Sequence, residues 1–64
     1  MVKINGNMQD MDGMPLARYL DDAGYDPARI AVEINGEIVP KSAYDEKFFC
    51  DGDVVEVVSF VGGG

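Results

Sequence analysis

Two Asn-Gly pairs, Asn5-Gly6 and Asn35-Gly36, most constrain what this chain can fold into. Both central residues of a tight type I′ turn need positive φ, which Gly adopts without steric cost and Asn tolerates, so Asn-Gly between alternating apolar residues is a strong hairpin signal. Before the first pair, Val2 and Ile4 alternate with Lys3 and Asn5, and a second short strand runs near Asn7 to Met11. Around the second pair, Ile30, Val32 and Ile34 alternate with Ala31 and Glu33, and Glu37 to Val39 returns before Pro40. Pro40 cannot donate to a ladder, so the second hairpin stops there.

Between the hairpins, Asp12-Gly13-Met14-Pro15 is a break in which Pro15 suits the first turn of a helix. Leu16, Tyr19, Leu20 and Ala23 then recur at helical spacing before Gly24, predicting one amphipathic helix of about ten residues ended by glycine. Asp21 and Asp22 face water on it, and Met14 reads as core filler. Tyr25-Asp26-Pro27 turns the chain into the second hairpin. After that hairpin, Lys41 to Lys47 is polar and irregular, with room for a helical turn at Ser42-Ala43-Tyr44. Phe48-Phe49-Cys50 is an apolar plug, Asp51-Gly52-Asp53 a turn, and Val54 to Val61 the longest strand candidate. This order predicts an α+β fold in which a mixed sheet of about five strands packs on one helix, the β-grasp or ubiquitin-like arrangement. The domain occupies residues 1–60, and 61–64 form a flexible glycine tail.

The chain has 64 residues, one domain of a size that buries only about 60% of the surface its unfolded chain exposes. Twelve Asp and Glu against five Lys and Arg, with no histidine, give a formal charge of −7. Such a charge repels phosphate backbones and anionic lipid heads, which argues against nucleic acid and membrane as partners and for a basic protein surface. One cysteine, Cys50, cannot form an internal disulfide, and that points to the cytoplasm. No apolar run approaches the roughly 20 residues of a spanning helix, and Met1 to Asn5 enters a strand without a signal-peptide apolar region.

Nothing in the chain reads as catalytic. Histidine is absent, no Gly-rich loop opens a helix with Lys-Ser/Thr, and no spacing of Cys, Asp and Glu makes a metal site. Asp51 and Asp53 read as turn residues and not as a carboxylate pair. Cys50, beside Phe48 and Phe49, reads as a buried and inert thiol in preference to a persulfide carrier. A β-grasp ferredoxin is excluded, because one cysteine cannot hold a cluster that needs four.

What stands out instead is the carboxyl end, Val61-Gly62-Gly63-Gly64. Without Cβ atoms, a Gly-Gly terminus is thin enough to carry a backbone and its free carboxylate into a slot that other residues would block. A docking surface follows by parity. Glu56 is the one charge within Val54 to Val61, so its face should see water; period-2 alternation puts Val54, Val58 and Phe60 with it and sends Val55 and Val57 under the helix. Apolar side chains on a solvated face beside the tail read as an interface. Val58, Phe60 and Val61 are its candidate docking residues.

Asn35-Gly36-Glu37-Ile38-Val39-Pro40, then Asp51-Gly52-Asp53-Val54-Val55-Glu56-Val57-Val58, then Phe60-Val61-Gly62-Gly63-Gly64 together resemble ThiS, the sulfur carrier family of bacterial thiamine biosynthesis. The likeness covers the whole chain. It implies a protein cosubstrate and not an enzyme. A ThiF-like adenylating enzyme would use MgATP to join the Gly64 carboxylate to AMP. Sulfur from a cysteine desulfurase persulfide would then replace the adenylate, and thiazole synthase would take sulfur from the resulting thiocarboxylate. Gly62 and Gly63 belong to the tail, no cofactor is bound by the carrier, and ATP and magnesium belong to its partner. Two alternatives stay open: a MoaD-like carrier for molybdopterin synthesis, and a passive ubiquitin-like binding module without tail chemistry.

Overall fold

The computed structural model describes residues 1–60; the tail expected over 61–64 lies outside the described residues. Five strands, β1 (Val2–Ile4), β2 (Asn7–Gln9), β3 (Ile30–Ile34), β4 (Glu37–Val39) and β5 (Val54–Ser59), form one sheet in the order β2-β1-β5-β3-β4. β1 and β5 run parallel at its centre and the other neighbours are antiparallel, so the sheet is mixed. The helix α1 (Leu16–Asp22) joins the hairpins. Both turns form as expected: Asn5 and Gly6 have φ of 50° and 84°, Asn35 and Gly36 of 54° and 84°.

One face of the sheet is dry. Val2, Ile4, Ile30, Val32, Ile34, Val55 and Val57 meet Leu16, Tyr19 and Leu20 of α1, and Tyr44 and Phe49 from the connection to β5 complete the core. Phe49 sits edge-on to Tyr19, with ring centroids 5.6 Å apart.

The helix is shorter than its apolar spacing suggests. Pro15 stays extended (ψ 135°) as the residue before the helix, and it is tied in a bridge to Phe48. At the other end Gly24 N–H donates to Asp21 O and Tyr25 N–H to Leu20 O, the paired bonds of a Schellman motif, with Gly24 at φ 82°. That closure leaves Ala23 as an exposed cap and not a core residue. Second-strand pairing likewise stops at Gln9, short of Met11.

The connection over 41–49 is more ordered than its polarity implies. A short 3-10 turn covers Lys41–Ala43, and Tyr44 behind it is buried. Carbonyls of Lys47 and Tyr44 accept from Leu16 N–H and Ala17 N–H at 2.8 and 3.2 Å. They satisfy donors that α1 would otherwise leave unpaired, since no side chain caps it.

At the start of β1 the Met1 ammonium lies 2.7 Å from Asp51 and 2.9 Å from Asp12. Hydrogen bonds to Asp51 and then Asp12 push its pKa up from 8.0 to about 10. Because the folded value is raised, any stabilisation from these exposed pairs is present below pH 8 and lost as the pH climbs through about 10.

β5 is held by both turn asparagines. β1 ends at Ile4, and Asn5 N–H donates to Val55 O at 2.9 Å. The next rung of a parallel ladder would take Val57 N–H onto Asn5 main-chain oxygen. Asn5 Oδ1 takes that role instead, accepting Val57 N–H at 2.8 Å. On the far side Asn35 Oδ1 accepts Val54 N–H at 2.9 Å. Asn5→Ala removes the acceptor of the part-buried Val57 N–H and puts alanine at a φ of 50°, and should cost about 1–3 kcal/mol. Urea denaturation should show Asn5→Asp, which keeps the acceptor, nearer wild type.

Candidate functional site

Alternation along β5 buries Val55 and Val57 and leaves Val54, Glu56 and Val58 outside. Phe60 continues that phase, its N–H held 2.8 Å from Arg29 O. Val58 and Phe60 are 51% and 54% exposed, which for side chains this apolar marks a face without a partner among the described residues. Cross-strand register extends the face: Lys3 lies opposite both Val54 and Met8, Ala31 opposite Val58, and Glu33 opposite both Glu56 and Ile38. Met8 and Ile38 are exposed as well. The open face of the sheet is thus apolar with a charged centre, and its last described residue, Phe60, leads directly into the tail. Val61, Gly62, Gly63 and Gly64 fall outside the described residues.

Cys50 departs from the sequence reading: it is exposed and not buried. The segment is extended, so Phe48, Phe49 and Cys50 alternate about the core; Phe49 takes the inward slot, at 1% exposure, and Phe48 is left outside at 53%. Cys50 then opens the turn into β5, with its N–H on Asp53 Oδ2 at 2.8 Å and its carbonyl accepting Asp53 N–H at 3.0 Å. Cys50→Ser therefore places a hydroxyl in solvent and not in the core. Asp53 also accepts from Asn35 Nδ2 at 3.0 Å, while Asp51 is engaged by the Met1 ammonium, which holds its carboxyl below the usual range. Asp53 is thus engaged within the turn and by Asn35, and Asp51 by the first residue of the chain.

Two shallow clefts flank the fold, one of about 220 Å³ beside β4 bounded by Ile38, Pro40 and Lys47, the other of about 280 Å³ between Met11, Met14 and Tyr19. Burial raises the Tyr19 phenol, so it stays neutral around pH 7. Glu37 also lines the first cleft and Asp22 the second. Among the described residues no group of three or more His, Cys, Asp or Glu side chains could hold a metal ion, and no helix is long and apolar enough to cross a membrane.

The ThiS family profile matches residues 2–64, so it takes in the open face, β5 and the whole glycine end. The chain belongs to the ThiS family. The sulfur carrier protein ThiS of Thermus thermophilus is 34% identical over 64 residues, covering 100% of both chains. ThiS of Bacillus subtilis is 54% identical over 35 residues, 55% of this chain and 53% of that one. A thiazole synthase of Paramagnetospirillum magneticum is 44% identical over 62 residues, 95% of this chain but 19% of its own length. The chain thus spans about a fifth and about half of these last two relatives. The crystal structure of the thiamine biosynthesis protein ThiS from Geobacter metallireducens superposes with a TM-score of 0.76 at 28% identity, covering 98% of this chain and 97% of that one. ThiS membership and the five-stranded β-grasp sheet are thus as the sequence indicated. The Thermus and Bacillus relatives carry the name of sulfur carriers and not of enzymes.

Proposed function

We propose that this ThiS-family chain is a sulfur carrier whose Gly64 carboxylate is the reacting group in thiazole formation for thiamine. A carboxylate is a poor electrophile until one oxygen becomes a good leaving group. A ThiF-like adenylating enzyme, using its own ATP and magnesium, joins Gly64 to AMP with loss of pyrophosphate. The terminal sulfur of a cysteine desulfurase-derived persulfide then displaces AMP to give an acyl persulfide. A second thiol cleaves its S–S bond to release the thiocarboxylate and leave a disulfide, and the thiocarboxylate passes its sulfur on at thiazole synthase. The fold supplies docking through Val58, Phe60 and Val61, and the Gly62-Gly63-Gly64 tail supplies reach.

The observation that carries this reading is the end-to-end match to a named sulfur carrier. The thiazole synthase match adds to it, since that protein holds a region resembling nearly all of this chain within one polypeptide. Exchange of labelled pyrophosphate into ATP by the cognate adenylating enzyme, dependent on this chain, tests the first step; no chain-dependent exchange would refute it.

The docking face has its own test. Phe60→Asp should weaken the complex with the adenylating enzyme or with thiazole synthase by roughly thirtyfold, the effect of losing a contact worth about 2 kcal/mol. Its circular dichroism spectrum should match wild type, because Phe60 is exposed. An unchanged complex would remove Phe60 from the interface.

A further inference from the structure

Glu33 and Glu56 stand directly opposite each other across the antiparallel β3–β5 pair, on the open face. Asn35 N–H donates to Val54 O and Phe60 N–H to Arg29 O, so alternate rungs of this ladder are hydrogen-bonded pairs, and Glu33–Glu56 is one of them. That fixes their Cα atoms about 5.5 Å apart. Like charges in direct opposition destabilise a sheet, and Glu33 is itself half-buried. No Lys or Arg makes an ion pair with either carboxylate among the described residues. The nearest cation in register is Lys3, one diagonal step away beside Val54. Around the two carboxylates the same face is apolar: Val54 and Val58 on β5, Phe60 just past its end, and Ile38 next to Glu33 on β4.

We propose that this carboxylate pair, framed by apolar side chains, is the receptor for an arginine of the partner protein that docks on the open face. A planar guanidinium offers donors on two edges, so one group can bind both carboxylates while its flat surface lies against Val58. Desolvation by Ile38, Val54 and Phe60 then strengthens the contact, and it discriminates against partners that present an acidic or neutral residue there. A second copy of this chain is the wrong occupant, since it would bring another such pair and another seven negative charges. A phosphate-bearing polymer is wrong for the same reason. The inference rests on the docking part of the proposed function, not on the tail chemistry.

The test uses the full chain, its Glu33→Gln, Glu56→Gln and doubly substituted variants, and Asp21→Asn as a control. Asp21 lies on α1, the layer behind the sheet, and its replacement makes the same change in net charge. Titration onto the cognate thiazole synthase should show about tenfold weaker binding for each single Glu variant. The salt dependence should be shallower, the double variant should lose little more than one single, and Asp21→Asn should stay near wild type. Free of partner, Glu33→Gln and Glu56→Gln should melt about 2 °C or more above wild type, because the opposition is relieved. Glu variants that bind like Asp21→Asn, or that melt no higher than wild type, overturn the proposal, as does a wild-type chain that does not bind thiazole synthase. If binding follows this pattern while Gly64 is never adenylated, the receptor stands and the carrier chemistry falls.

Discussion

Deleting Gly64 should lower pyrophosphate exchange about a hundredfold, the loss that follows when a reacting centre is displaced by even 1 Å. An extended chain from Val61 to Gly64 reaches at most about 14 Å, and the deletion withdraws the carboxylate by one residue while leaving a Gly-Gly end in place. Composition is kept and reach is lost. Gly63→Val should fail differently: its length is intact, but a branched Cβ must enter a slot shaped for backbone, so adenylation falls while docking of the β-grasp body persists. Binding and exchange measured on the same variants separate the two effects. Near wild-type exchange by both would mean that the glycine end is not the reactive arm.

Phe49→Ala should cost about 3–5 kcal/mol. Phe49 is 1% exposed, packs edge-on against Tyr19, and has its main chain bonded on both sides, its N–H to Met14 O and its carbonyl from Gly13 N–H. A core this small rarely supplies more than about 3–5 kcal/mol, so the variant should be largely unfolded at 25 °C. Phe48→Ala, one residue away on an exposed ring, should stay within about 0.5 kcal/mol of wild type. Urea denaturation of the pair reads the phase of this segment directly: equal losses would contradict the inward placement of Phe49 alone.

How much was legible in the sequence depended on how local the cause was. Each Asn-Gly turn carries its geometry in two residues, and the β5 faces follow from one charge, Glu56, in an otherwise apolar run. Segment 41–49 was opaque because what orders it is remote: its carbonyls cap α1, and Tyr44 fills a gap between elements far apart in the chain. The exposed side of Cys50 is not legible because three apolar residues in a row carry no phase, and the phase is set by the Pro15–Phe48 bridge. The helix is shorter than its spacing predicts because Ala23 continues the apolar pattern although the Gly24 closure has already ended the helix. For the site, the tail is visible as composition. The Glu33–Glu56 opposition is a property of register and exists in neither strand alone.

Intact mass of this chain after incubation with its adenylating enzyme, MgATP, a persulfide donor and a thiol reductant tests the carrier chemistry most directly. A thiocarboxylate should appear as a mass gain equal to one oxygen exchanged for one sulfur, located on the C-terminal peptide ending at Gly64 and absent without ATP. An unchanged mass under conditions where the adenylating enzyme is active, or sulfur found on Cys50 in place of Gly64, would contradict it.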